Sequence, residues 1–178
     1  MIRLVAHDLA WIGGEADDPN DHCAHGRVEF TVNETSFVTS EDGVLAVSGA
    51  AFFLLRTLAS DHTGTSRVAE YNLLFPHCCF KPWPYEGTFK VLCMGCSLGV
   101  DIEVSHETTG VRFSSPAGIE VVSENDWKRA VLAFAAQVRA YYRRSTPKAD
   151  IKDDYDRQGW AAFWQEWDAR VDAAECRR

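Results

Sequence analysis

The chain has 178 residues, 46% of them hydrophobic and 25% charged, with a formal net charge of −8. That length and mix bury a full core without disulfides or a metal, and they read as one α+β domain over residues 1–178. Residues 1–87 carry 12 acids against 5 bases and residues 88–178 carry 14 against 13, a balance that disfavours nucleic acid and anionic membranes and suits a basic protein partner.

Ile2 to Ile12 is a short apolar segment that meets His7 and Asp8 too early for a secretory leader. Gly13-Gly14 then turns the chain into the acidic stretch Glu15-Ala16-Asp17-Asp18-Pro19-Asn20-Asp21. Arg27 to Val32 alternates polar and apolar residues, predicting a half-buried strand with Val28, Phe30 and Val32 inward. A helix from Gly49 to about Ser60 follows, with Ser48 as its cap and Ala51, Leu54, Leu55 and Leu58 on one face. The longest apolar run, Gly49 to Leu55, is broken by Arg56 and is too short to cross a bilayer. Pro82-Trp83-Pro84 reads as irregular and extended. Residues 88–94, 100–104, 111–114 and 119–122, separated by short glycine-containing turns, predict an antiparallel meander. Ser123 with Asp126 marks the start of a long helix with Trp127, Val131, Phe134, Val138 and Tyr141 on one face. Ser145-Thr146-Pro147 ends it, and a charged loop at 150–157 leads to a second helix from Gly159 to about Ala174. Its stripe of Trp160, Phe163, Trp164, Trp167 and Val171 is core-facing. The expected architecture is therefore α+β: an antiparallel meander sheet with one internal helix and two C-terminal amphipathic helices packed on it.

Six cysteines in a chain without a leader point to free thiols in a reducing, cytoplasmic compartment. Cys23 and His25, His77-Cys78-Cys79, and Cys93-x-x-Cys96 offer soft ligands, and Cys23, His25, Cys78 and Cys79 are the candidate zinc set. The spacing does not match a zinc ribbon or a zinc deaminase, and no stoichiometric zinc or other cofactor is expected. A thiol nucleophile could be assembled from Cys23 or Cys78 with one of several histidines. Metalloprotease, serine-hydrolase, P-loop and dinucleotide motifs are absent from the sequence. Two segments read as recognition surfaces: the acidic loop Glu15, Asp17, Asp18 and Asp21, and the segment from Lys81 to Tyr85 with Trp83 and Tyr85. As solvated surface groups, the four carboxylates should contribute little to stability.

The ordered set Asp21-x-Cys23-x-His25-Gly26, Ser48 with Leu54-Leu55-Arg56-Thr57-Leu58 and Asp61-His62, Pro76-x-Cys78-Cys79, Gly95-Cys96-x-x-Gly99-x-Asp101 and Phe163-Trp164-x-Glu166-Trp167 runs along most of the chain. It resembles a family of small bacterial proteins similar to the immunity proteins of polymorphic toxin systems. Where that pattern has Gly-His after the paired cysteines, this chain has Phe80-Lys81, which removes a ligand from any metal site. The resemblance implies a non-catalytic binding protein that neutralises a cognate, basic toxin in the cytoplasm. The alternative is a zinc- or thiol-dependent enzyme using the Cys/His clusters.

Overall fold

The computed structural model describes residues 1–12, 17–79 and 81–176. Strand β1 (Ile2–Trp11) pairs antiparallel with β2 (Ala24–Val32), which pairs with β3 (Thr35–Val38). In β2 the predicted alternation holds: Val28, Phe30 and Val32 are buried while Arg27, Glu29 and Thr31 reach the edge of solvent. The β1–β2 ladder slips between His7 and Ala10, where Asp8 adopts a positive φ of 50°. That bulge lets a ten-residue strand bend around the core.

Helix α1 (Val47–Arg56) differs from its predicted form. It starts at Val47 with Ala46 as its N-cap residue, and all ten of its residues are buried. Ser48 does not cap it. Its hydroxyl points inward, 3.3 Å from Cys23 Sγ and 3.4 Å from Ala24 O. The Ala46 N–H donates instead to Pro76 O at 2.8 Å, so a neighbouring strand anchors the helix start. At the other end Thr57 Oγ1 donates to Leu54 O at 2.6 Å and accepts from Trp127 Nε1 at 3.2 Å.

The second half contains short strands: β4 (Phe75–Pro76), β5 (Pro82–Pro84), β6 (Val91–Cys93) and β7 (Gly99–Val100). β4 pairs with β7 and β5 with β6, both antiparallel. The meander is the three-stranded sheet of β8 (Glu103–Glu107), β9 (Gly110–Ser115) and β10 (Gly118–Val122). The run at 88–94, expected as its first strand, turns back as β6 onto the Pro82-Trp83-Pro84 segment. Pro82 and Pro84 have no N–H to donate, which suits β5 to this two-stranded edge position. The strands thus form several antiparallel sheets.

Two C-terminal helices complete the α+β fold: α2 (Glu124–Arg144) and α3 (Asp154–Cys176). Ser123 caps α2 by accepting from the Asp126 N–H at 3.1 Å. Trp127, Val131, Phe134 and Val138 are buried along its predicted face, with Tyr141 partly so. Helix α3 begins five residues before Gly159, inside the stretch read as a charged loop, because Asp153 Oδ1 accepts from the N–H groups of Tyr155 and Asp156 at 3.0 and 2.9 Å. Among the described residues, no helix is long and apolar enough to cross a membrane.

One core joins these elements. Phe113 packs edge-on against Trp127 and Phe30, at centroid distances of 4.8 and 5.3 Å, tying α2 to both three-stranded sheets. Phe52 stacks on Phe163 at 4.3 Å, tying α1 to α3. Arg56 is 1% exposed at the centre of this packing. It meets Glu166 through Nε–Oε1 at 2.8 Å and Nη2–Oε2 at 3.0 Å, and donates to Val68 O and Val91 O at 2.8 and 2.7 Å. Its guanidinium lies 4.4 Å from the Phe52 ring centre and 4.1 Å from that of Phe89. The bidentate pair and two carbonyls satisfy the charge where water cannot reach it.

Candidate functional site

Gly159 sits on α3 directly against the Pro82 carbonyl, where a Cβ would collide with backbone. This contact brings the start of α3 onto β5 and places three distant parts of the chain around one groove. A cavity of about 630 Å³ is lined by Ile12, Asp18, Asn20, Asp21 and His22 from the first part, Lys81 from the second, and Ala149 to Lys152, Asp156 and Trp160 from the third. Trp160 stacks obliquely on the His22 ring at 5.6 Å. Burial and the nearby Lys148 hold His22 below its usual range against the pull of Asp21, so the ring is neutral at pH 7. Lys81 Nζ pairs with Asp156 Oδ2 at 2.9 Å across the groove. Four carboxylates and two lysines line it together with the apolar side chains of Ile12, Ile151 and Trp160.

The acidic loop divides into structural and available groups. Glu15 lies outside the described residues. Asp17 accepts from the Thr146 N–H and pairs with Lys148 Nζ at 3.3 Å. Desolvation alone would raise its pKa, but the Thr146 and Lys148 contacts hold it below the ordinary carboxylate range. Lys148 also donates to Asp18 O at 2.7 Å and lies 3.1 Å from the Trp11 ring centre, while the Ala149 N–H donates to Pro19 O at 2.8 Å. The α2–α3 linker is therefore strapped to the loop. Asp21 accepts from the Ile12 N–H at 2.5 Å and the Cys23 N–H at 2.9 Å, so it joins the two ends of the loop. Asp17 and Asp21 are thus not the unpartnered surface carboxylates that the sequence suggested: both accept from backbone N–H groups that local sequence does not reveal. Asp18 caps only a local turn, accepting from the Asn20 N–H at 2.8 Å.

Of the second segment, Lys81 lines the groove, whereas Trp83 on β5 and Tyr85, just after it, are not among its lining residues. Trp83 is half-buried, its backbone close to Gly159, and Tyr85 is 42% exposed. The residues of 149–156 and Trp160 escaped the sequence reading as site residues. The cluster of acids at 150–156 was a usable signal. Trp160 was assigned to the core, and at 7% exposure it is both core and groove wall.

The candidate metal residues do not assemble a ligand set. Cys23 is fully buried against Ser48 and the Cys79 carbonyl, and burial pushes its thiol up to about 12. His25 Nδ1 donates to Cys23 O at 2.8 Å, leaving its Nε2 buried without a partner among the described residues. Cys79 is buried and Cys78 half-buried. Among the described residues, no group of three or more His, Cys, Asp or Glu side chains is arranged to hold a metal.

Two Asp–His pairs lie elsewhere. Fully buried His62 meets Asp101 at 2.9 Å, and Asp101 also accepts from the Leu74 N–H at 2.9 Å and pairs with Arg67 at 3.0 Å. Desolvation would raise Asp101, but His62, the Leu74 N–H and Arg67 together bring it down to about 2. Asp61 Oδ1 meets both the backbone N–H and Nδ1 of His106, at 2.9 and 2.8 Å. Both pairs tie the loop at 61–74 to β8 and the chain before it. Searches against protein families, curated proteins and solved structures find no match for the chain.

Proposed function

We propose that this chain is a non-catalytic protein-binding domain of immunity type, whose acidic groove receives a basic segment of a cognate bacterial toxin. The observation that carries the reading is the groove itself: Asp18, Asp21, Asp150 and Asp156 outnumber Lys81 and Lys152 in a lining that also holds Ile12, Ile151, Trp160 and a neutral His22. A lysine or arginine side chain of a partner fits this chemistry, with its stem on Ile12, Ile151 and Trp160 and its charge among the carboxylates. Asp18 and Asp150 are the groups to alter, since among the described residues neither accepts from a distant backbone group in the way Asp17 and Asp21 do. The competing expectation, an enzyme on Cys23, His25, Cys78 and Cys79, meets thiols that desolvation and neighbouring thiols hold protonated.

The test is association kinetics with the toxin domain encoded beside this chain, at low and high salt. Binding that Asp18→Asn with Asp150→Asn slows at low salt, and slows much less at high salt, supports the groove as the docking site. Binding insensitive to both substitutions moves the interface elsewhere. No binding at either salt removes the immunity reading.

A further inference from the structure

A second recess lies between the two C-terminal helices. It holds about 430 Å³ and is lined by Arg139, Tyr142 and Arg143 of α2 and Trp164 of α3. Arg139 and Arg143 stand one turn apart on the same helix face, about 5–6 Å between Cβ atoms. The Arg139 guanidinium rests 4.1 Å from the Trp164 ring centre and reaches Asp168 at 3.4 Å. The Tyr142 ring meets Trp164 edge-on at 4.9 Å. The Tyr142 hydroxyl is already used, donating to His22 O at 2.6 Å and accepting from the Ala24 N–H at 3.2 Å. Arg143 is exposed and has no hydrogen-bond or ion-pair partner among the described residues, and the Trp164 indole N–H has no acceptor among them. The polar groups left to the recess are therefore all donors. Since Asp168 offsets Arg139, one positive charge, that of Arg143, is uncompensated. Two links join this recess to the acidic groove. Tyr142 lines the recess with its ring and holds the backbone carbonyl of His22, which lines the groove. Trp160 of the groove and Trp164 of the recess sit on successive turns of α3 and both pack edge-on against Phe163, at 5.2 and 5.0 Å.

We infer that this recess is the second half of the docking surface and takes an Asp or Glu side chain of the partner whose Lys or Arg enters the groove, an assignment that rests on the binding reading above. A carboxylate offers acceptors only, which is what a lining of donors requires. The forked guanidinium of Arg143 matches its two oxygens, and its single negative charge balances the one uncompensated positive charge. Arginine, tryptophan and tyrosine, the residue types of the recess, are also those that dominate the energetic centres of protein interfaces. Once a partner covers the recess, the ion pair loses its water and gains strength over an exposed pair. A groove rich in carboxylates beside an unpaired guanidinium also fixes direction. A partner segment docked in reverse brings acid to acid and base to base. The groove alone accepts any basic segment, whereas the two sites together select one that carries both charges in the right order.

The experiment measures association and dissociation rates of the full chain with the toxin domain encoded beside it, for the wild type, Arg143→Ala, Arg143→Glu and Arg144→Ala. Arg144 is equally exposed, but it does not line the recess, and one residue along the helix turns it about 100° away. Thermal midpoints confirm that each variant is folded. Arg143→Ala is expected to speed dissociation about tenfold or more, and Arg144→Ala less than about twofold. Arg143→Glu should bind still more weakly, and reversing one Asp or Glu of the toxin to Lys, found by scanning, should restore it. Unchanged dissociation in Arg143→Ala, an equal effect in Arg144→Ala, or no toxin carboxylate whose reversal rescues Arg143→Glu would each overturn the inference and leave the binding reading standing. A wild type that does not bind the toxin removes the binding reading and this inference with it. Sedimentation of the free chain tests the other occupant: a monomer is expected. A salt-sensitive dimer abolished by Arg143→Glu would assign the recess to a second copy of the chain and overturn the inference as well.

Discussion

Replacing Glu166 with alanine leaves a guanidinium that is 1% exposed without its counter-charge. Two charge-assisted hydrogen bonds, at 2.8 and 3.0 Å, are lost together. Arg56 keeps the carbonyls of Val68 and Val91 and the rings of Phe52 and Phe89, but these neutral groups do not replace a carboxylate. Arg170, the other partner of Glu166, is 22% exposed and can turn to water, so the cost falls on Arg56. Breaking a buried pair from one side typically costs about 3–5 kcal/mol. With a urea m-value of roughly 2 kcal/mol/M, the midpoint should fall by about 1.5–2.5 M. The double variant Arg56→Met with Glu166→Leu removes both charges and should cost clearly less than the two single changes summed. Acid titration adds a second readout. Desolvation of Glu166 is outweighed by Arg56 and Arg170, so its folded pKa lies below 4.5. Its stabilisation is fully present above pH 4.5 and is lost as pH falls through the folded value, a loss that Glu166→Ala should not show. A single-variant cost under about 1 kcal/mol, or strict additivity in the double variant, would refute the view that this pair is coupled and buried.

Asp101, brought down from 3.8 to about 2, contributes stability that is complete above pH 3.8 and disappears as pH falls toward 2. Urea midpoints of Asp101→Asn should therefore lack the part of the wild-type pH dependence in that window. Gly159→Ala should lower the melting midpoint, although alanine favours helix by about 1 kcal/mol, because its methyl group meets the Pro82 carbonyl. A raised midpoint would mean that α3 does not rest on β5. Asp21→Ala, which strands the Ile12 and Cys23 N–H groups, should cost about 1–3 kcal/mol in urea unfolding, and Asp18→Ala markedly less. Cys23, with its thiol at about 12, should resist iodoacetamide at pH 8 until the chain unfolds, as read by mass mapping of the alkylated residue.

Periodicity alone made several elements legible. Val28, Phe30 and Val32 alternate and are buried, and the Trp127–Val138 stripe faces the core under a Ser123 cap. Of the glycine-punctuated runs, 111–114 and 119–122 fall in the meander and 100–104 only in part, its first residue pairing with β4 instead. These are local signals, set by which side of one strand or helix is apolar. The resemblance quoted Arg56 and Glu166 in separate motifs, but nothing in either motif says that the two side chains meet. That pairing links residues 110 positions apart and exists only because Phe52 on α1 stacks on Phe163 of α3.

The candidate groove has the same origin. The acidic loop and the Lys81 segment were each visible in the sequence, while their union with 149–160 depends on Gly159 seating α3 against Pro82. The same packing turned Ser48 from an expected cap into a buried partner of Cys23, and gave Asp17 and Asp21 backbone partners across the loop. By itself, then, the sequence determined the fold class, the main apolar faces and the acidic character of the first half, because each follows from neighbours a few positions apart. Tertiary structure alone decided which charges are buried and paired, which cysteines are buried, and which carboxylates remain for a partner. Those outcomes depend on contacts between distant segments, whose register is set by packing of the whole core.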